Sequence, residues 1–210
     1  MKSLISFSVL CLFFIAPISA ESLEATTSLT QEPSAYRNVQ GFGISLDLIN
    51  LDDNVADALG MDSSGYGLSV DYSGDISEYF NFAAGLSFVS FDDKAGFSQR
   101  VENVYGDEST ESSSITGVGF NADIGPQLRL SNDTVRMGIN AGYRNISVDR
   151  EISNCSDCYS QDLDLKGSTY FKPFISIQVS DSIAIGASYY SYQADESFDN
   201  SIQFKLTWLQ

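Results

Sequence analysis

The sequence predicts an all-β fold: an eight-stranded antiparallel up-and-down β-barrel that crosses a membrane with strands. Three observations carry this expectation. Apolar residues alternate with small or polar ones over eight separate stretches, the links between stretches alternate short and long, and an apolar leader marks the chain for export. A period of two argues for strands, because a helix would need apolar residues three and four positions apart.

Length and composition narrow the field further. A chain of 210 residues suits one domain. It has no histidine, which removes Ser-His-Asp and Cys-His catalysis and His-ligated metals. A net charge of −17 is unsuited to nucleic acid, whose phosphates call for clustered Lys and Arg. Charged residues make up 19% and aromatics 12%, so the chain reads as folded rather than as an acidic coil. No catalytic residue, metal site or cofactor is predicted.

Lys2 followed by the apolar run Leu4 to Ile18 and the small-residue end Ile18-Ser19-Ala20 has the layout of a secretory signal peptide over residues 1–20. The run is shorter than the roughly 20 residues a spanning helix needs. Residues 21–36 are polar and unpatterned and are predicted as a flexible periplasmic segment, leaving 37–210 for the barrel. Of the three cysteines, Cys11 leaves with the leader. Cys155 and Cys158 then remain in Asn154-Cys155-Ser156-Asp157-Cys158. With no second CxxC and no His, zinc lacks ligands, and a disulfide closing a small loop in an oxidising compartment is the expectation.

The strands follow in order. Phe42, Ile44, Leu46 and Leu48 oppose Gly41, Gly43, Ser45 and Asp47; Tyr66, Leu68, Val70 and Tyr72 oppose Gly65, Gly67, Ser69 and Asp71. Phe80 to Phe88, Val118 to Leu128, Val135 to Tyr143, Phe171 to Val179, Ile183 to Tyr189 and Ile202 to Trp208 repeat the pattern. One face is bulky and aromatic, while the other is Gly, Ser, Ala and Asn with isolated charges. Small residues make a poor water-facing surface but suit a cramped polar lumen, which in an eight-stranded barrel is just filled by side chains. The apolar face is therefore assigned to lipid. Tyr66, Tyr72, Phe80, Tyr143, Tyr189 and Trp208 sit near strand ends, where interfacial aromatics are expected. Pro126 and Pro173 lack ladder donors, and local bulges are expected to accommodate them. Ser73-Gly74-Asp75, Ser131 to Thr134 and Ser180-Asp181-Ser182 read as tight turns, and Asn50–Ser64, Asp92–Ser114, Asn145–Lys166 and Gln193–Asn200 as long loops.

This phase turns Asp47, Asp71, Asp123, Arg129, Arg136, Arg144, Lys172 and Lys205 inward. Threading the strands places Asp71, Arg129 and Arg136 at the turn end, Asp123, Lys172 and Lys205 at mid-height, and Asp47 with Arg144 towards the loops. Each level has both signs, as a narrow lumen requires if its charges are to be paired. Most acids fall in the long loops, where they read as solvated charge that can attract divalent cations or a basic partner. Gly117-Val118-Gly119-Phe120-Asn121-Ala122 fits a dinucleotide motif, but the alternation runs on to Leu130 with no helix start.

With the leader, the eight alternating strands, the opening Asn38-Val39-Gln40-Gly41-Phe42-Gly43 and the amphipathic last strand, the chain resembles the small outer-membrane β-barrel superfamily. That group includes the barrel of outer-membrane protein A and the opacity-type proteins. Members often end on an aromatic residue read by the barrel-assembly machinery; here Trp208 is followed by Leu209 and Gln210. The resemblance implies a non-enzymatic, monomeric protein of the bacterial outer membrane with a salt-bridged lumen and acidic extracellular loops, in an envelope-structural or surface-interaction role. Its implied partners are outer-membrane lipid and lipopolysaccharide, with periplasmic chaperones and the assembly machinery during biogenesis. Two alternatives stay open: a narrow porin-like channel, and a soluble periplasmic lipocalin-type barrel with its aromatics inside.

Overall fold

The structure, a computed structural model, describes residues 39–102, 106–130, 134–152, 158–193 and 197–210. The predicted leader, the 21–36 segment, Cys155 and most of the Ser131–Thr134 turn lie outside these residues. The described chain runs β1 (Gln40–Leu51), α1 (Asp53–Leu59), β2 (Met61–Ser77), β3 (Phe80–Asp93), β4 (Ser98–Glu102), β5 (Glu108–Ser112), β6 (Ser114–Leu130), β7 (Val135–Glu151), β8 (Ser160–Leu163), β9 (Ser168–Ser180), β10 (Ile183–Tyr192) and β11 (Phe198–Leu209).

Eight of these strands close into a ring in the order β1-β2-β3-β6-β7-β9-β10-β11, and every neighbouring pair is antiparallel. The eight predicted stretches are these eight strands. Closure comes from β1 against β11, in register from Gly41 opposite Leu209 to Asn50 opposite Asn200. The backbone N–H of Gln210 also donates to the Gln40 carbonyl at 2.8 Å. The short strand β8 pairs only with β7, and β4 and β5 form a separate hairpin.

The facing decides the environment. Phe42, Ile44, Leu46 and Leu48 are 44–51% exposed, while Ser45 and Asp47 between them are at 1–2%. Leu68, Leu86, Phe88, Phe120, Ile139, Phe171, Ile185 and Phe204 continue the exposed apolar belt around the ring. A continuous belt of this kind is an aggregation surface in water and a matched surface in hydrocarbon. A lipocalin-type barrel would place these side chains inside. Aromatics line both margins of the belt. Phe42, Tyr72 and Phe82 pack as tilted ring pairs near the turns, with centroids 4.9 and 5.9 Å apart, and Tyr66, Tyr143 and Tyr189 stand towards the loops.

Lumen-facing glycines make room for other side chains. A Cβ on Gly142 would sit 2.5 Å from the Ala122 carbonyl oxygen and 2.7 Å from the Tyr170 ring; one on Gly85 would meet the Asp71 carboxylate at 2.4 Å. The lumen is filled by long polar side chains because its walls, at such points, have none.

Three expectations need correction. The prolines cause no bulge. Pairing of β6 with β7 skips Gly125 and Pro126 and resumes in the same register, and β9 with β10 does likewise around Pro173. In an antiparallel strand each N–H points to one neighbour, so a missing donor interrupts one ladder and leaves the other side paired. Secondly, Ser73-Gly74-Asp75 is not the turn: β2 runs to Ser77, Glu78 and Tyr79 make the turn, and Asp75 points into the lumen. Thirdly, the long links are shorter than their composition suggested, because β2, β6 and β7 project well past the belt and the loops between them carry α1, the β4–β5 hairpin and β8.

The belt assignment predicts the effect of a charge at its middle. Leu86, 66% exposed and level with Val70 and Phe120, replaced by Arg should cost the folded barrel about 2–4 kcal/mol in a bilayer. Arg in place of the exposed Ser147 of β7, past the belt, should cost less than about 1 kcal/mol. Reversible denaturant unfolding in lipid vesicles measures both, and equal small costs would contradict the belt.

Candidate functional site

The lumen has layers, built from the turn end upward. At its base, Asp75 accepts from the Val39 backbone N–H at 2.7 Å and from Gln127 Nε2 at 2.7 Å, and it pairs with Arg129. Arg136 Nη1 lies 3.8 Å from the same carboxylate. Above it, Asp71 accepts from Ser45 Oγ at 2.9 Å and lies 3.9 Å from Lys205 Nζ, which donates to Ser73 Oγ at 3.2 Å. At mid-height Asp123 holds Lys172, Asn140 Nδ2 at 2.5 Å and Tyr170 Oη at 2.9 Å; Asn140 and Asn81 exchange amide hydrogen bonds of 2.8 and 3.1 Å. Highest in the polar lumen, Arg144 Nη2 donates to Asp47 Oδ2 at 2.9 Å, which also accepts from Ser69 Oγ at 2.7 Å.

All eight predicted lumen charges thus lie inside, with two changes of partner. Asp71 faces Lys205, and the arginines at the base share Asp75, which sequence reasoning had spent on a turn. The signal for Asp75 was its parity: it continues the inward phase of Ser69, Asp71 and Ser73. Charges this deep in a ring surrounded by lipid are tolerated only with partners and further hydrogen bonds, and each carboxylate described has both.

Above Arg144 the chemistry inverts. Ile49, Leu51, Met61, Val89, Phe91, Ile115, Ile146, Val148, Leu163, Leu165 and Phe198 point inward and form one buried cluster with Ala56 of α1. Three tyrosines mark the boundary. Tyr170, Tyr190 and Tyr192 pack their rings together at 4.8–6.1 Å within this cluster. Tyr170 gives its hydroxyl to Asp123, and Tyr192 accepts from Arg144 at 3.2 Å. Arg144 and Lys172 stand over the Tyr190 ring, 5.5 and 5.3 Å from its centroid, as cation–π contacts. The alternation kept its phase along each strand, but the apolar members changed face: Leu46 and Leu48 are exposed, Ile49 and Leu51 buried. That doubled apolar stretch was the sequence signal for the cap.

Arg150 and Asp93, read from sequence as loop charges, are a buried pair inside this cap. Arg150 Nε donates to Asp93 at 3.0 Å, Nη2 to the Leu59 and Gly60 carbonyls at 2.7 and 3.1 Å, and Nη1 to Gln161 at 3.1 Å. One guanidinium so ties three loops together at the C-terminus of α1. The helix itself is marked in the sequence. Asp52 caps its first turn by accepting from Asn54 and Val55 N–H, and Gly60 ends it at φ 67°, a left-handed position suited to glycine.

Outside the cap the surface is acidic: Asp53, Asp57, Asp92, Glu102, Asp107, Glu108, Asp162, Asp164 and Asp199 are exposed. Asp149 of β7 stands opposite Asp162 of β8. A hydrogen bond with Asp162, slight burial and the negative field of Asp162 and Glu151 together hold the Asp149 carboxyl above its ordinary value. No cluster of three or more potential metal ligands occurs among the described residues.

No protein-family profile matches this chain, and no curated protein sequence does. Solved structures do. The chain is similar to Ail, the attachment invasion locus protein of Yersinia pestis, in complex with the heparin analogue sucrose octasulfate: TM-score 0.53, 13% identity, covering 83% of this chain and all of that one. Another crystal structure of Ail gives 0.51 and 11% over the same shares. The N-terminal β-barrel of Pseudomonas aeruginosa OprF is matched at TM-score 0.34 and 11% identity, over 79% of this chain and 97% of that one, too distant to add weight. At these identities the likeness gives the fold alone, a closed eight-stranded antiparallel barrel.

Two outcomes are expected. Asp123→Ala strands Lys172 in the lumen and should destabilise the barrel by about 3–5 kcal/mol, while Asp123→Ala with Lys172→Met should recover a large part; denaturant midpoints that are unchanged in the single variant would contradict the pairing. For Asp149 a raised folded-state pKa means the folded protein binds the proton more readily than the unfolded chain. The β7–β8 pairing is therefore favoured at acidic pH and weakens as pH rises through that pKa. Carboxyl NMR titration should find Asp149 above the ordinary carboxylate range and returned to it in Asp162→Asn.

Proposed function

We propose that this chain is an integral, non-enzymatic protein of the bacterial outer membrane, delivered there by cleavage of its 1–20 leader. On this reading the two termini and the turns face the periplasm, and the cap of loops and projecting strands stands outside the cell. The carrying observation is the apolar belt around a charge-paired lumen that ends in a buried apolar cluster. Such a barrel is a rigid mount for whatever its rim presents, and here the rim presents carboxylates. Its role is envelope-structural or surface-interacting, through divalent cations bridging to lipopolysaccharide or through a basic partner. The Ail structure holds a polysulfated sugar; an acidic rim disfavours a polyanion and selects the opposite charge.

The cap also bears on the channel alternative. Conduction needs a continuous polar path, and the inward-facing Ile49, Phe91, Ile146 and Phe198 interrupt it. Fractionation should recover the protein with outer membranes, with a gel mobility that changes on boiling in detergent. Reconstituted in a planar bilayer it should give no unit conductance steps. A soluble periplasmic protein without the mobility change would overturn the membrane assignment, and regular conductance steps would overturn the sealed lumen.

A further inference from the structure

One stretch of the belt is recessed. A groove of about 600 Å³ crosses β9, β10, β11 and β1 on the outer wall. Its two sides are rows of outward side chains that the strand register sets level with one another. Leu46, Phe204, Ala187 and Ile175 stand opposite one another along one side. Ile44, Leu206, Ile185 and Ile177 form the other. Between the rows run Ser45, Lys205 and Gly186, again in register. Ser45 and Lys205 turn their side chains into the lumen and Gly186 has none, so the floor of the groove is backbone. Ala187 is the one small residue among the eight that flank it, and beside Gly186 no side chain bridges the two rows.

Strand geometry sets the dimensions. Rows two residues apart are separated by about 7 Å, and four strands spaced about 4.8 Å apart give a length of about 14 Å. That is close to the depth of one leaflet, half of a hydrocarbon core about 30 Å thick. The groove is continuous with the apolar belt, so hydrocarbon lies against it. Among hydrocarbon the hydrophobic effect gives no drive for retention, and close packing must supply it. A chain lying in the groove has protein on three sides, against one side elsewhere on the belt, and its added contacts are individually small but sum. The groove also follows the curve of the ring. Two convex barrels meet along a narrow strip, whereas a flexible chain bends across all four strands.

We propose that this groove, in a barrel set in the outer membrane as proposed above, holds one acyl chain of a membrane phospholipid. The chain lies across β9, β10, β11 and β1 and is exchanged more slowly than its neighbours around the belt.

The test places the folded protein in vesicles of phosphatidylethanolamine and phosphatidylglycerol, with a trace of phosphatidylethanolamine bearing a photoreactive group in mid-chain. After illumination, mass spectrometry of peptides locates the attached lipid. Labelling of Ala187 and Leu206 is expected to exceed about tenfold that of Leu86 and Phe120, which face lipid from β3 and β6 on the opposite wall; the factor corresponds to about ten added carbon–carbon contacts. Ala187→Phe, which fills the groove, should bring the two walls level. Even labelling of the wild type would overturn the proposal, and that reading needs no variant to fold. So would an enrichment that survives Ala187→Phe. Displacement of the probe by lipopolysaccharide more readily than by unlabelled phospholipid would give the groove to another lipid, and protection of β10 and β11 within crosslinked pairs of barrels would give it to a second copy; either overturns the assignment. The boiling-dependent gel shift tests the barrel independently, so failure of the groove leaves the membrane reading standing.

Discussion

Within hydrocarbon no water is available to a peptide N–H or C=O, and each one left unpaired costs several kcal/mol. A sheet with a free edge is excluded there, and the rest of this molecule follows from its closure. The seam is β1 against β11, ten residues in unbroken register from Gly41–Leu209 to Asn50–Asn200. The ring is uninterrupted enough to carry Pro126 and Pro173, each of which breaks pairing on one side while its other neighbour stays in register. Beyond the belt the requirement relaxes, and there the extra elements appear: α1, the β4–β5 hairpin and β8.

Closing eight strands leaves an interior that side chains must fill, and lipid on the outside takes the apolar ones. The interior is thus polar by default, and every charge in it needs an answering group. The molecule reverses this arrangement where the strands leave the belt. With water now outside, the apolar side chains turn in, and Ile146 and Val148 pack where Arg144 and Asn140 had hydrogen-bonded one level below. Tyr170 and Tyr192 suit the junction because each has an apolar ring for the cap and a hydroxyl for the lumen, and Tyr190 turns its ring face to Arg144 and Lys172. Arg150 is the exception in the cap, and its guanidinium is spent on Asp93, Gln161 and two carbonyls left over at the end of α1.

How much of this the sequence disclosed depends on which rule governed each residue. Strand number, order, phase and lipid face were legible because period-two alternation is imposed directly by the pleat and by the two solvents on either side. The eight inward charges followed from the same phase. Partners did not, because pairing depends on stagger between strands: Asp71 lies across from Lys205 through the closure of β1 on both its neighbours, which no local pattern records. Asp75 was lost because Ser73-Gly74-Asp75 has turn chemistry, yet its inward parity and the waiting arginines hold it in the strand. Asp93 and Arg150 were taken for solvated loop charges, since the strands' extension past the belt shows only as a doubled apolar run such as Leu46, Leu48, Ile49 and Leu51. In each case the information was present but belonged to a longer-range constraint than alternation.

One set of strands changes which face is apolar at a fixed height. A single strand can test it. Along β7, outward positions run Ile139, Ala141, Tyr143, Asn145, Ser147 and Asp149. An environment-sensitive fluorophore attached to a cysteine placed at each in turn, in vesicles containing brominated lipid, reads the contact directly. Strong quenching is expected at 139 through 143 and none at 147 and 149, with the change near 145. Quenching at every position, or at none, would show that the strand keeps one environment throughout and would contradict the inversion.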